Sequence, residues 1–209
     1  DTFYGFTNDY FRADDNIGTL IIEHDFNDDI TVHEQLRLAS YHRSLRVTQG
    51  QLLPDGATTI PPGTDPNDVE VERVEIDGVS TERMVDNDIN LQWKGSYNIF
   101  DNKLTAGFEY VHQSGDPRRI EPSWAGVPDT NLVHPDTGDS FTGFGTTSIL
   151  VNGQVDTYSG YLIDNLQIGR QWSVVGGLRY DSVASDYDES LPPATNFTAN
   201  NAVSYTHLT

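Results

Sequence analysis

The spacing of its connections constrains this chain most. Segments in which apolar and polar residues alternate come in pairs joined by a few turn residues. Between one pair and the next the sequence runs for roughly thirty residues or more, although loops beyond about 12–15 residues are uncommon in compact domains. Over residues 19–26, Leu20, Ile22, His24 and Phe26 share one face. Asn27, Asp28 and Asp29 make a turn; Ile30, Val32, Leu36 and Leu38 then resume the alternation, with Thr31, His33, Gln35 and Arg37 pointing the other way.

Two more pairs follow. Val85, Ile89, Leu91, Trp93 and Tyr97 alternate with Asp86, Asp88, Asn90, Gln92, Lys94 and Ser96. After a turn read at Asp101 and Asn102, the series Leu104, Ala106, Phe108, Tyr110 begins. The third pair occupies about residues 155–168, turns at Gly169, Arg170 and Gln171, and returns from Trp172 towards Tyr187. The expected long connections, residues 49–82 and 114–154, are rich in Pro, Gly and Asp.

Short turns alternating with long loops are the pattern of an outer-membrane barrel. The expected fold class is all-β: an antiparallel transmembrane β-barrel fragment, about six strands in three hairpins with long extracellular loops. Six strands are too few to close such a barrel, because the smallest single-chain examples use about eight. The apolar face would meet lipid and the polar face would line the lumen. Phe26, Tyr97, Phe100, Tyr110, Trp172 and Tyr180, near strand ends, would form interfacial girdles. The alternative is a soluble or secreted β-sandwich binding module, an adhesin or sugar-binding domain, with the same residues as ordinary core.

Composition narrows the function. The 209 residues carry a formal charge of −20, which removes the electrostatic footprint of a nucleic-acid binder. With no Cys there is no disulfide, thiolate–zinc site or Cys nucleophile. No apolar run is long enough for a transmembrane helix, and no signal peptide is visible.

Catalytic and metal motifs fail on inspection. Gly143 and Gly145 begin a dinucleotide fingerprint that lacks its third glycine. Asp86, Asp88 and Asn90 begin a calcium loop, but Leu91 stands where Gly is needed and Tyr97 where Glu belongs. The histidines His24, His33, His42, His112, His134 and His207 are scattered. Asp65, Asp68, Glu70, Glu72 and Glu75 read as solvated loop charge. The expectation is no catalytic residue, no metal site and no enzyme activity.

Several stretches resemble a known family. Phe3-Tyr4-Gly5-Phe6, Asp14 to Leu20 and Glu23 to Phe26, then Tyr161 to Ile168, Trp172 and Gly176-Gly177-Leu178-Arg179-Tyr180-Asp181, are similar to barrel strands of TonB-dependent siderophore receptors, of the ferrichrome and catecholate type. The resemblance covers residues 1–48 and 155–187 best, with the catecholate branch slightly favoured. It implies a barrel in a Gram-negative outer membrane, contacting lipid and filled by the receptor's own N-terminal plug domain. It also implies a ferric siderophore as transported ligand with no cofactor, and drive from the TonB energy-coupling complex through a missing N-terminal segment.

On that resemblance residues 1–201 are a partial receptor barrel. Residues 202–209 read as a non-native tail, with a native strand or loop end as the alternative. A ferric catecholate is anionic and flat, so guanidinium groups and aromatic faces at the loop end suit it. The candidate ligand-binding residues are Arg43, Arg46, Arg118, Arg119 and Trp124. Arg37 and Arg179, on polar faces, are expected to pair with plug or lumen carboxylates.

Overall fold

The computed structural model describes residues 2–52, 60–121, 126–143, 145–191 and 196–208. The strands are β1 (Tyr10–Asp25), β2 (Ile30–Gln51), β3 (Glu70–Tyr97), β4 (Phe100–Gly115), β5 (Arg118–Glu121), β6 (Thr130–Asn131), β7 (Thr146–Ile168), β8 (Trp172–Glu189) and β9 (Asn196–Leu208). One single-turn 3-10 helix, Pro66–Asp68, is the only helix among the described residues. The long strands hydrogen-bond in the order β1-β2-β3-β4-β7-β8-β9, every pair antiparallel. The short β5 sits between β3 and β7, and β6 pairs with β3.

The three tight turns lie side by side at one end of the sheet. In the first, Asn27 Oδ1 accepts from the N–H groups of Asp29 and Ile30, both at 2.9 Å. The first turn is tied to β3, Lys94 N–H donating to Asp29 O at 2.8 Å, and the third to the second, Gly169 N–H donating to Ile99 O at 2.7 Å.

The second turn corrects the sequence reading. It is formed by Asn98 and Ile99, and Asp101 and Asn102 are already in β4, opposite Ser96 and Gly95. Asn98 has φ 58°, a left-handed conformation that asparagine tolerates better than most residues, so a two-residue turn closes without glycine.

The strands are also longer and more numerous than expected. Among the described residues there are seven long strands and two short ones, where about six were expected. Within residues 49–82, read as loop, 49–51 and 70–82 are strand: β2 and β3 stay in register up to Gln51 opposite Glu72. The acidic run Glu70 to Asp77 hid β3 because its alternation is not hydrophobic there. Val71, Arg73 and Glu75 share a face that is covered rather than solvated, so backbone pairing and local packing carry the strand. In the sheet, Val203 of β9 stands opposite Asp181 and Leu208 opposite Gly176.

Candidate functional site

Register determines which side chains share a face, because cross-strand partners point the same way. One face carries Leu20, Leu36, Ile89, Leu91, Trp93, Leu104, Phe108, Leu162, Val174 and Leu178. Many of these are open, Leu178 at 56% and Leu20 at 55%, and no second sheet packs on them among the described residues. A soluble sandwich would bury this face.

The band has defined edges. At the turn end lie Tyr97, Phe100, Ile168 and Trp172, successive partners across four strands. At the other end Tyr110 and Tyr158 are partners, with ring centroids 4.9 Å apart. From Phe100 to Tyr110 the strand advances about ten residues, or about 33 Å at its usual rise, which a strand tilt near 40° reduces to about 25 Å. That is the height of the apolar band on outer-membrane barrels. Two pairs of polar side chains inside the band satisfy each other. Asn102 Nδ2 donates to Asp164 Oδ1 at 2.6 Å, and Asn87 donates to Glu34.

The opposite face is polar and cross-braced. Arg179 Nη2 donates to Glu109 at 2.5 Å and to Ser159 Oγ at 2.8 Å, while Nε donates to Asp181 at 2.7 Å. Tyr161 lies across Gly107 and donates to Asp88 at 2.8 Å. Four strands are joined in this way. Arg179 therefore pairs with carboxylates of its own wall; Arg37 stands opposite Asp86.

Beyond the tyrosine row the sheet continues far past the apolar band, and a small core forms there. Phe6 stacks on Phe141 at 5.8 Å, and the Arg73 guanidinium sits 4.2 Å over the Phe6 ring. Arg73 Nη2 donates to Asp139 at 2.5 Å, and Nε donates to Pro128 O at 2.6 Å. Asn8 binds both backbone groups of Phe141. Residues 4–9 and 126–143 are thus fastened over the ends of β2 and β3.

The sequence candidates separate here. Arg46 grips Asp77 with two hydrogen bonds of 2.8 and 3.0 Å, and Nε is also 2.5 Å from Glu75 Oε1. The Asp77 hydrogen bonds raise the affinity of Arg46 for its proton. Glu75 is 1% exposed and has this ion pair but no aligned hydrogen bond among the described residues. Burial pushes its carboxyl up to about 7, with Asp77 and Asp9 adding to the effect and Arg46 opposing it. Sequence reading had placed Glu75 among solvated loop acids. Its i+2 spacing from Arg73 and Asp77 was the one available signal.

Arg43 is exposed, lies on the polar face and pairs with Glu82. Arg119, opposite Gly78, shares that face, whereas Arg118, opposite Val79, takes the other. Arg43 and Arg119 are thus brought to one side of the loop end, and Arg46 and Arg118 are not. Trp124 lies outside the described residues. No cluster of three or more metal-ligating side chains occurs among the described residues.

An uncovered apolar band of membrane height, short turns at one end and a polar inner wall define a barrel wall. The chain belongs to the TonB-dependent receptor β-barrel family, whose model, described as TonB dependent receptor-like, beta-barrel, matches residues 1–209. Members of this family are transporters rather than enzymes. Among its relatives is the catecholate siderophore receptor Fiu of Escherichia coli. In strain CFT073 it is 27% identical over 189 residues, covering 90% of this chain and 24% of the relative; in strain K12 it is 26% identical with the same coverage. This chain therefore spans about a quarter of the length of these relatives.

The solved structures agree on the fold. The closed form of the ferric-catecholate import receptor Fiu from E. coli K12 superimposes with TM-score 0.77 at 23% identity, over 99% of this chain and 31% of the other. The siderophore receptor PiuA of Acinetobacter baumannii gives 0.71 at 18% identity, with 99% and 31% coverage.

Proposed function

We propose that this chain is part of the barrel of a Gram-negative outer-membrane receptor that takes up ferric siderophores, driven by the TonB complex. The observation that carries the membrane placement is the apolar band about 25 Å high between two aromatic rows. The cargo reading is supported by the catecholate siderophore receptors among the relatives. On this reading the polar face lines a lumen occupied by the receptor's own plug domain, and the ferric siderophore is cargo rather than a resident cofactor. Arg43 and Arg119, at the loop end of the lumen face, act as ligand contacts. Trp124, five residues after Arg119 in sequence, supplies an aromatic face. Arg46, tied to Asp77 and Glu75, holds the rim in shape.

The test is uptake of radiolabelled iron by an iron-starved host lacking its own siderophore receptors and carrying the full-length gene. Uptake of a ferric catecholate that disappears when the coupling complex is deleted is the expected result. Equal uptake with and without the gene, for every siderophore offered, would refute it. Residues 202–209 we read as a non-native tail. A source gene encoding the same eight residues in frame would reject that.

A further inference from the structure

One line of cross-strand neighbours on the polar face, five residues past the tyrosine row and at the end of β4, reads Tyr41, Glu82, Gly115, Gly153, Tyr187, Phe197. Aromatic rings stand at both ends, and Tyr187 stacks on Phe197 with centroids 5.1 Å apart and planes at 22°. Two adjacent glycines form the middle. Over them opens a cavity of about 320 Å³, walled by Tyr41, Met84, Gln113, Val151 and Val155.

The glycines are not required by crowding. A methyl group on Gly153 would meet only Asp186 O, at 3.9 Å, and one on Gly115 would meet Glu82 Cγ at 3.4 Å. Neither has a positive φ. Side chains are tolerated sterically at both positions, and what their absence creates is the hollow itself. A tyrosine face, a methionine and two valines make its walls apolar and adaptable. The rim carries little net charge, because Arg43 is already paired with Glu82. A free polyanion gains little from such a rim. A flat ring does gain, lying on the glycine floor where the Gln113 amide N–H can donate to an oxygen on its edge. The volume sits at the small end of ligand sites, enough for one ring and its substituents.

We infer that this trough is a cargo subsite on the barrel wall that receives one aromatic ring of the incoming ferric siderophore. The inference rests on the ferric-siderophore reading above. It places the ring-binding surface on β2, β3, β4 and β7, below the loops.

Binding of the ferric complex of 2,3-dihydroxybenzoic acid to the purified full-length receptor, followed by fluorescence quenching, tests it. Gly153→Leu fills the hollow and should weaken binding about tenfold or more, whereas Gly153→Ala should change it by less than about twofold. Heat-modifiable gel migration reports whether each variant is folded. Should Gly153→Leu not fold, Tyr41→Ala carries the same expectation of weakened binding. Unchanged affinity in both Gly153→Leu and Tyr41→Ala overturns the subsite. A wild-type receptor that binds a ferric trihydroxamate but not the aromatic complex also overturns it, leaving the receptor reading intact. A receptor that binds neither removes both.

Discussion

Gly107 shows what a missing side chain permits on the inner wall. A Cβ there would fall 2.2 Å from Tyr161 Cζ, so any larger residue turns the tyrosine off the sheet and breaks its hydrogen bond to Asp88. Gly107→Ala is expected to cost about 1.5–3 kcal/mol, the range for a hydrogen bond to a charged group. Tyr161→Phe should reproduce most of that loss, and Gly107→Ala should add little in the Tyr161→Phe background. Denaturant midpoints of the full-length receptor in detergent measure both; additive losses would show that the two residues act separately.

Glu75 makes a second residue-level prediction, about pH. It lies beyond the tyrosine row that bounds the apolar band, so water rather than lipid surrounds this part of the sheet. Its folded carboxyl titrates near 7, above the ordinary 4.5. The folded state therefore binds the proton more tightly than the unfolded chain, and this group's contribution falls as pH rises from about 4.5 to about 7. Glu75→Gln keeps a neutral group at every pH. The variant should gain on the wild type in thermal midpoint at pH 8 relative to pH 5, and parallel midpoints at the two pH values would contradict the assignment.

At the scale of elements, the turns are the most sensitive joints. Asn98 has φ 58° and Gly169 φ 59°, where a β-branched residue is strained. Asn98→Val should destabilise by about 1–2 kcal/mol and Asn98→Gly should be near neutral. Refolding yield into detergent, read by heat-modifiable migration, distinguishes them. If Asn98→Val refolded as well as the wild type, the turn would not depend on this conformation.

The elements also show what was legible in the sequence. Inside the band every alternating series predicted from the residues keeps its face, because there one face is apolar and the other polar, so the period of two is written in the residues themselves. The first and third turns fall where expected; the second does not, because Asn98 alone carries little turn signal beside an Asp-Asn pair. Above the band the rule lapses. There β3 is held by its ladder to β2 and by covered residues such as Arg73, and a charged strand in that setting is indistinguishable by composition from a loop. The same blindness hid the partners of the candidate arginines. That Arg46 meets Asp77 and Arg43 meets Glu82 depends on register across more than thirty residues of sequence, which no local pattern encodes.

At the scale of the whole molecule, the sheet has two open edges. Among the described residues β1 and β9 each pair on one side only, and β1 is exposed along its length. Unpaired strand edges recruit other edges, so this chain produced alone should associate, whereas the full-length receptor should be monodisperse in the same detergent. Light scattering after size-exclusion chromatography compares them. A monomeric isolated chain would require the two edges to be closed or covered in a way this structure does not show.

The overhang of β2 and β3 bears on how such proteins can change. The two strands remain paired through Gln51 opposite Glu72, and one extra residue in either would reverse the facing of every side chain beyond it. Arg73 and Glu75 would then swing out of their covered places. Insertions in this rim are therefore accommodated only as matched gains on both strands, as a bulge, or past Gln51 in the loop itself. Among descendants of one ancestor, rim height should change in coupled steps, while the connecting loop is free to drift residue by residue.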